Sequence, residues 1–135
     1  MKLTITTILL LMHFSAFALE VKPYPKAKIS IKEWKSYYYE VKESIGETEK
    51  IAAEHRLVTY VDRIKNAHFA FTQEHHPAHP SWVTRIIVEH SGGLSVQQLG
   101  YFAGNEQEFA KLFAQYQEVN KNMKQWVNEQ RAKNK

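Results

Sequence analysis

Apolar positions along this chain recur at alternating steps of three and four residues, the spacing of one face of an α-helix. Between residues 29 and 46 the seam is Ile31, Trp34, Tyr38, Val41 and Ile45. Its start is marked twice. Ser30 and Glu33 have the spacing of a capping box, and Ile29 with Trp34 that of a hydrophobic staple. Gly46 is a natural C-terminal stop. A second, long helix is predicted from about residue 47 to residue 75, on the seam Leu57, Val61, Ile64, His68, Phe71 and His75. Pro77 and Pro80 end it, because proline removes a backbone donor and clashes with the preceding turn.

Two short helices follow. One covers residues 81–90, with Val83, Ile86, Ile87 and His90 on one side, and stops at Ser91-Gly92-Gly93. The next begins at Ser95, with a Ser95–Gln98 capping box and a Leu94–Leu99 staple, and stops at Gly104. Asn105, boxed with Glu108, opens a last long helix to about residue 131 on the seam Phe109, Leu112, Tyr116, Val119, Met123 and Trp126. No stretch shows sustained two-residue alternation with β-branched enrichment. The predicted fold class is therefore all-α: a small helical bundle with two long helices, a shorter N-terminal helix and two short helices, packed at shallow angles of about 20°. Trp34, Ile64, Phe71, Leu112 and Trp126 are its predicted core.

The first residues read differently. Met1-Lys2 is a short positive leader, an apolar run follows to Phe14, and Ala16-Phe17-Ala18 fits a small-x-small cleavage site. That is the architecture of a secretory signal peptide, too short in its apolar run to span a bilayer. The expected organisation is a signal peptide over residues 1–18, an extended basic arm over 19–28 and a single helical domain over 29–135. The expected location is periplasmic or secreted, with no stable membrane anchor after cleavage. The chain has no cysteine, so an exported domain of this size must be held by packing rather than by disulfides. A formal net charge of +4 is too mild to imply a nucleic-acid partner.

Catalytic chemistry finds little purchase. There is no Gly-x-Ser-x-Gly elbow, no phosphate-binding glycine pattern, and Asp62 is the only aspartate available to orient a histidine. No enzymatic activity is expected. Histidine is the one enriched functional type: His75, His76 and His79 crowd the break between the prolines, His68 falls on the apolar seam ahead of them, and His90 lies on the following helix. Imidazole suits zinc, copper and nickel, so these five residues form a candidate transition-metal site, although no helical His-Glu-x-x-His signature accompanies them and no cofactor is required. The same residues, on an apolar face, have the physical properties of a pH switch.

Leu94-Ser95-Val96-Gln97-Gln98 resembles the Leu-Thr-x-x-Gln box of small helical periplasmic stress chaperones. The resemblance covers five residues, carries Ser in place of Thr and occurs once. It implies an exported, all-α, chaperone-like protein. Aromatic residues that the seams leave over point to the same class of work, because exposed aromatics anchor protein interfaces. Tyr37, Tyr39, Trp82, Tyr101 and Phe102 are the candidate partner-binding residues. The expected function is that of a small exported binding protein acting on another exported or cell-envelope protein as an inhibitor, immunity, accessory or chaperone-like factor. The alternative is histidine-mediated metal binding or sensing.

Overall fold

The structure, a computed structural model, describes residues 26–135. The expected signal peptide, and most of the basic arm, lie outside the described residues. The domain is not a helical bundle. Helix α1 (Ile31–Ile45) leads into strands β1 (Lys50–Ala52), β2 (Leu57–Asp62), β3 (Ala67–Thr72), β4 (Ser81–His90) and β5 (Gly93–Phe102), and helix α2 (Glu106–Lys133) closes the chain. The five strands form one antiparallel sheet in sequence order. The fold class is thus mixed α/β, and the all-α expectation is corrected over residues 47–102.

The two helices that survive do so for the reasons their sequences gave. Ser30 Oγ accepts the Glu33 N–H at 3.1 Å while Glu33 Oε2 accepts the Ser30 N–H at 2.7 Å, a complete capping box. Asn105 Oδ1 accepts the Glu108 N–H at 3.0 Å and starts α2.

Between the helices, local turn chemistry folds the chain into a meander. Asp62 Oδ1 accepts the N–H groups of Ile64 and Lys65, and Asn66 takes a left-handed φ of 50°, which reverses β2 into β3. Ser91-Gly92 joins β4 to β5, whose register places His90 opposite Gly93. The stretch from Gln73 to Pro80 is a hydrogen-bonded loop, with His76 N–H on the Gln73 carbonyl and His79 N–H on the His76 carbonyl. His79–Pro80 is a cis peptide. Ahead of α1, Ala27 and Ile29 bond the backbone of Phe102 and tie the start of the domain to the end of β5.

Register sorts the strand side chains onto two faces. Val58, Tyr60, Phe69, Phe71, Trp82 and Tyr101 meet Trp34, Tyr37 and Val41 of α1 in one core. On the other face Leu57, Val83 and Phe102 meet Phe109 and Leu112 of α2. Gly100 makes that second contact close: a Cβ there would lie 2.6 Å from Phe109 Cζ and 2.7 Å from Phe113 Cδ2. The bare strand lets both rings lie on the sheet.

Of the predicted core, Trp34, Phe71 and Leu112 are buried, but Ile64 is 99% exposed in the β2–β3 turn and Trp126 is 61% exposed on the outside of α2. Residues 94–98 are part of β5. The Ser95–Gln98 capping box and the chaperone-box resemblance therefore fall on a strand and carry no argument.

Candidate binding groove

The proline-flanked histidines are held by hydrogen bonds within and beside their own loop. His75 sits exposed at a φ of 72°, and its carbonyl accepts from Arg56 Nη1 at 2.6 Å. His76 Nδ1 accepts the Ala78 N–H at 3.0 Å, so its proton is on Nε2. His79 Nδ1 lies 3.0 Å from the Thr72 carbonyl and 2.9 Å from Thr72 Oγ1, and the carbonyl can only accept, so this nitrogen is the protonated one. His68 is near the start of β3, at the end of that strand away from the loop, and His90 is at the far end of β4. Two ring nitrogens of the expected trio are thus taken up by local bonds. Among the described residues no three His, Asp or Glu side chains converge where a metal ion could be held.

The expected partner-binding aromatics are likewise placed by the sheet. Tyr37, Trp82, Tyr101 and Phe102 are buried, the first three in the α1-side core and Phe102 stacked on Phe109 with centroids 5.1 Å apart. Tyr39 alone of the five is exposed, at 62%. No surface presents these five together, because Trp82 and Tyr101 point to the sheet face that α1 covers, Tyr37 points from α1 into the same core, and Phe102 lies against α2.

What the sheet does present is a groove. Helix α2 packs mainly on β5 and lightly on β4, leaving its side of β1, β2 and β3 only partly covered. Two cavities lie there, and the Tyr116 ring borders both. The first, about 340 Å³, is lined by His55, Leu57, His76, Leu112, Gln115, Tyr116 and Val119. The second, about 260 Å³, is bordered by Lys50, Thr59, Val61, His68, Arg85 and Tyr116, with Tyr60, Phe69 and Ala70 completing its wall. No carboxylate lines either one.

Arg85 is the electrostatic centre of this groove. It points to the α2 side from the middle of β4, opposite His68 on β3 and Gln98 on β5. Its Nη1 donates to Asn120 Oδ1 at 2.9 Å, and its guanidinium lies over the Tyr116 ring at 5.1 Å. Asn120 is itself fixed: its Nδ2 donates to Gln98 Oε1 at 2.6 Å, and Gln98 Nε2 donates to the Phe113 carbonyl at 2.9 Å. That chain of amides leaves only an acceptor oxygen facing Arg85. The cation is therefore held by neutral partners, an amide oxygen and an aromatic ring, and among the described residues no acid is bonded to it. Burial lowers the pKa of Arg85 and raises that of Tyr116, with the guanidinium opposing the latter shift. His68 is pushed below the usual histidine value, first by burial and then by Arg85. Its Nε2 faces Asn66 Oδ1 at 3.3 Å, an oxygen oriented because Asn66 Nδ2 donates to the Ile87 carbonyl.

The sequence carried a signal for this site. Arg85 is a lone cation inside Trp82-Val83-Thr84-Arg85-Ile86-Ile87-Val88, a run of otherwise strand-forming residues, and Asn120 interrupts the buried stripe of α2. A charged or amide group placed among apolar neighbours costs stability unless it is bonded, which singles both positions out once the run is read as a strand. His68 and His76, both candidate metal ligands by sequence, border the groove, one in each cavity. No protein-family model matches the chain, and neither does any curated protein or solved structure.

Proposed function

We propose that this protein works by binding, and that its ligand is an anionic molecule held in the groove between α2 and the open half of the sheet. The observation that carries the reading is Arg85: a half-buried guanidinium in a cavity with cationic or neutral lining and no carboxylate. Taking a charge out of water is costly when nothing of opposite sign accompanies it. A fold that keeps such a cation, and positions it with three successive amide hydrogen bonds, is organised to meet an anion. The lining supplies no nucleophile paired with a base and an orienting acid, which favours binding over turnover. The leader pattern of residues 1–18 supports a periplasmic or secreted setting for this activity, in which an exported or cell-envelope partner would deliver or receive the ligand.

The test is titration of the folded protein with 1-anilinonaphthalene-8-sulfonate, an anionic aromatic probe, near neutral pH, read by fluorescence and by amide chemical-shift mapping. Saturable binding with shifts centred on Thr59, Val61, His68, Arg85 and Tyr116 is expected. Shifts confined to the α1 side, or no saturable binding, would remove the groove as the site.

A further inference from the structure

We propose that the ligand is a straight-chain fatty acid, its carboxylate on Arg85 and its acyl chain running past Tyr116 over Leu57 and Leu112. This rests on the groove being the binding site and names what occupies it. The two cavities differ in kind. The one bordered by Arg85 also has Lys50, Thr59 and His68 at its margin, so it is the polar end. The other has Leu57, Leu112 and Val119 in its wall, with His55, His76 and Gln115 as its polar members. A ligand that satisfies both must be charged at one end and apolar along the rest.

Three observations narrow the class. The guanidinium offers five donors in a planar fork, of which one is shown engaged by Asn120. A planar carboxylate matches that fork in a bidentate pair. The charge also matches, because Arg85 is the one permanently charged side chain that is partly buried there, and Lys50 at the rim is exposed. One anionic charge neutralises it, whereas a phosphate dianion would leave charge uncompensated in a partly desolvated site.

The apolar end argues against a peptide. An extended peptide brings an N–H and a C=O per residue, each needing a partner when buried; Leu57, Leu112 and Val119 provide none, and the scattered side chains of His55, His76 and Gln115 do not form the row of donors and acceptors that a backbone needs. An acyl chain brings none to satisfy.

Length is fixed by the elements. Leu57 and Val61 stand four residues apart on the same face of β2, about 13 Å at 3.3 Å per residue. Leu112 to Asn120 on α2 spans eight residues, about 12 Å at 1.5 Å each. An extended chain of carbon–carbon bonds near 1.5 Å advances about 1.25 Å per carbon, so the groove accommodates about ten carbons between its two ends.

The experiment displaces the bound anilinonaphthalene sulfonate with decanoate, decanol, decyl phosphate and decylamine, each below its micellar concentration. Decanoate is expected to displace the probe at least about tenfold more effectively than decanol or decylamine. Affinity should rise from hexanoate to about decanoate and then level off. In Arg85→Met the preference for decanoate over decanol should vanish while decanol binds as before. The ligand series on the unaltered protein is decisive even if that variant fails to fold. Equal displacement by decanol and decanoate, or stronger displacement by decyl phosphate, would overturn the fatty-acid assignment and leave the groove standing. A probe that never binds in the groove would overturn both.

Discussion

The two faces of the sheet are built from alternate residues of the same strands, yet they do different work. On the α1 side the rings interlock: Phe71 lies 5.6 Å from Trp82, Trp82 lies 4.8 Å from Tyr37 and 5.0 Å from Tyr101, and Trp34 meets Phe71 edge-on at 6.1 Å. Helix α1 seals that layer. On the α2 side the apolar contact gathers Leu57, Val83, Gly100 and Phe102 of the sheet against Phe109, Leu112 and Phe113 near the start of the helix. Farther along, the stripe turns polar at Tyr116 and Asn120, and β1 to β3 are left partly open. Stability is concentrated where the aromatic area is buried, and the residues with chemistry are on the face that a single off-centre helix cannot close. Loss of a side chain should therefore cost more on the first face than on the second.

The largest effect is expected at Trp82, which is fully buried between Tyr37, Phe71 and Tyr101. Trp82→Ala should lower the unfolding free energy by roughly 3–5 kcal/mol, the range for emptying an aromatic core position. On the opposite face Leu112→Ala should cost about 2 kcal/mol, the low end of the leucine range, because one side of Leu112 already borders a cavity. Urea denaturation of both variants measures the contrast directly. Equal losses would mean that the α2 face is as tightly packed as the α1 face and that the groove closes in solution.

Gly100 sharpens the same comparison from the side of overpacking. Gly100→Ala places a methyl group against Phe109 and Phe113 and should cost about 1–3 kcal/mol. It should do so by lifting α2 from β5, so amide exchange should accelerate across Phe109 and Leu112 and stay unchanged across α1. Uniform acceleration would show that the two faces do not unfold separately.

Acid provides a smaller and reversible test. Burial lowers the pKa of both His68 and His76. Arg85 adds to the effect on His68, while Arg56 and His79 add to it on His76 against an opposing Glu108. The unfolded chain then binds protons at a higher pH than the folded one, so stability is fully present above about 6.5. It should be lost progressively as pH falls below that value. Comparison of urea midpoints at pH 7.5 and pH 5.5 reads the loss, and His68→Gln with His76→Gln should flatten it. Both histidines lie on the α2 side, so Tyr37 and Trp82 should show no fluorescence change before global unfolding.

How much of this was legible in the sequence depends on the element. The punctuation was: Gly46, the Pro77–Pro80 stretch, Gly92-Gly93 and Gly104 all stand at or beside element boundaries. Both capped helices were legible too, and the first seam of α2 through Phe109, Leu112 and Tyr116. The strands were not. A step of four residues keeps to one face in both a helix and a strand, so Leu57 and Val61 satisfy either reading; only steps of three discriminate. His68 and Phe71, three apart, lie on opposite faces of the sheet, where a helix would have kept them together. Alternation was hidden because helices pack on both sides of the sheet. Leu57-Val58-Thr59-Tyr60-Val61 and Phe69-Ala70-Phe71 are thus nearly continuous apolar runs, as in sheets covered on both faces. In α2 the seam was followed at 3.5 residues per turn onto Val119 and Trp126. A straight helix on a sheet keeps 3.6, which brings Asn120 inward instead and leaves Trp126 in water.

The smallest expected effect makes that misreading measurable. Ile64 would be central to a helix over residues 47–75, and its replacement by alanine would then empty a core position at about 2–5 kcal/mol. In the sheet it occupies the turn between β2 and β3, is 99% exposed and contributes its backbone N–H to Asp62 Oδ1. Alanine keeps that N–H, and no apolar neighbour is lost. Ile64→Ala should therefore change stability by less than about 0.5 kcal/mol, while Asp62→Ala, which removes the acceptor of both turn amides, should cost more. A pair of urea curves decides it: a large loss at Ile64 would bring back the helix, and a loss at Asp62 alone fixes the turn that starts the open half of the sheet.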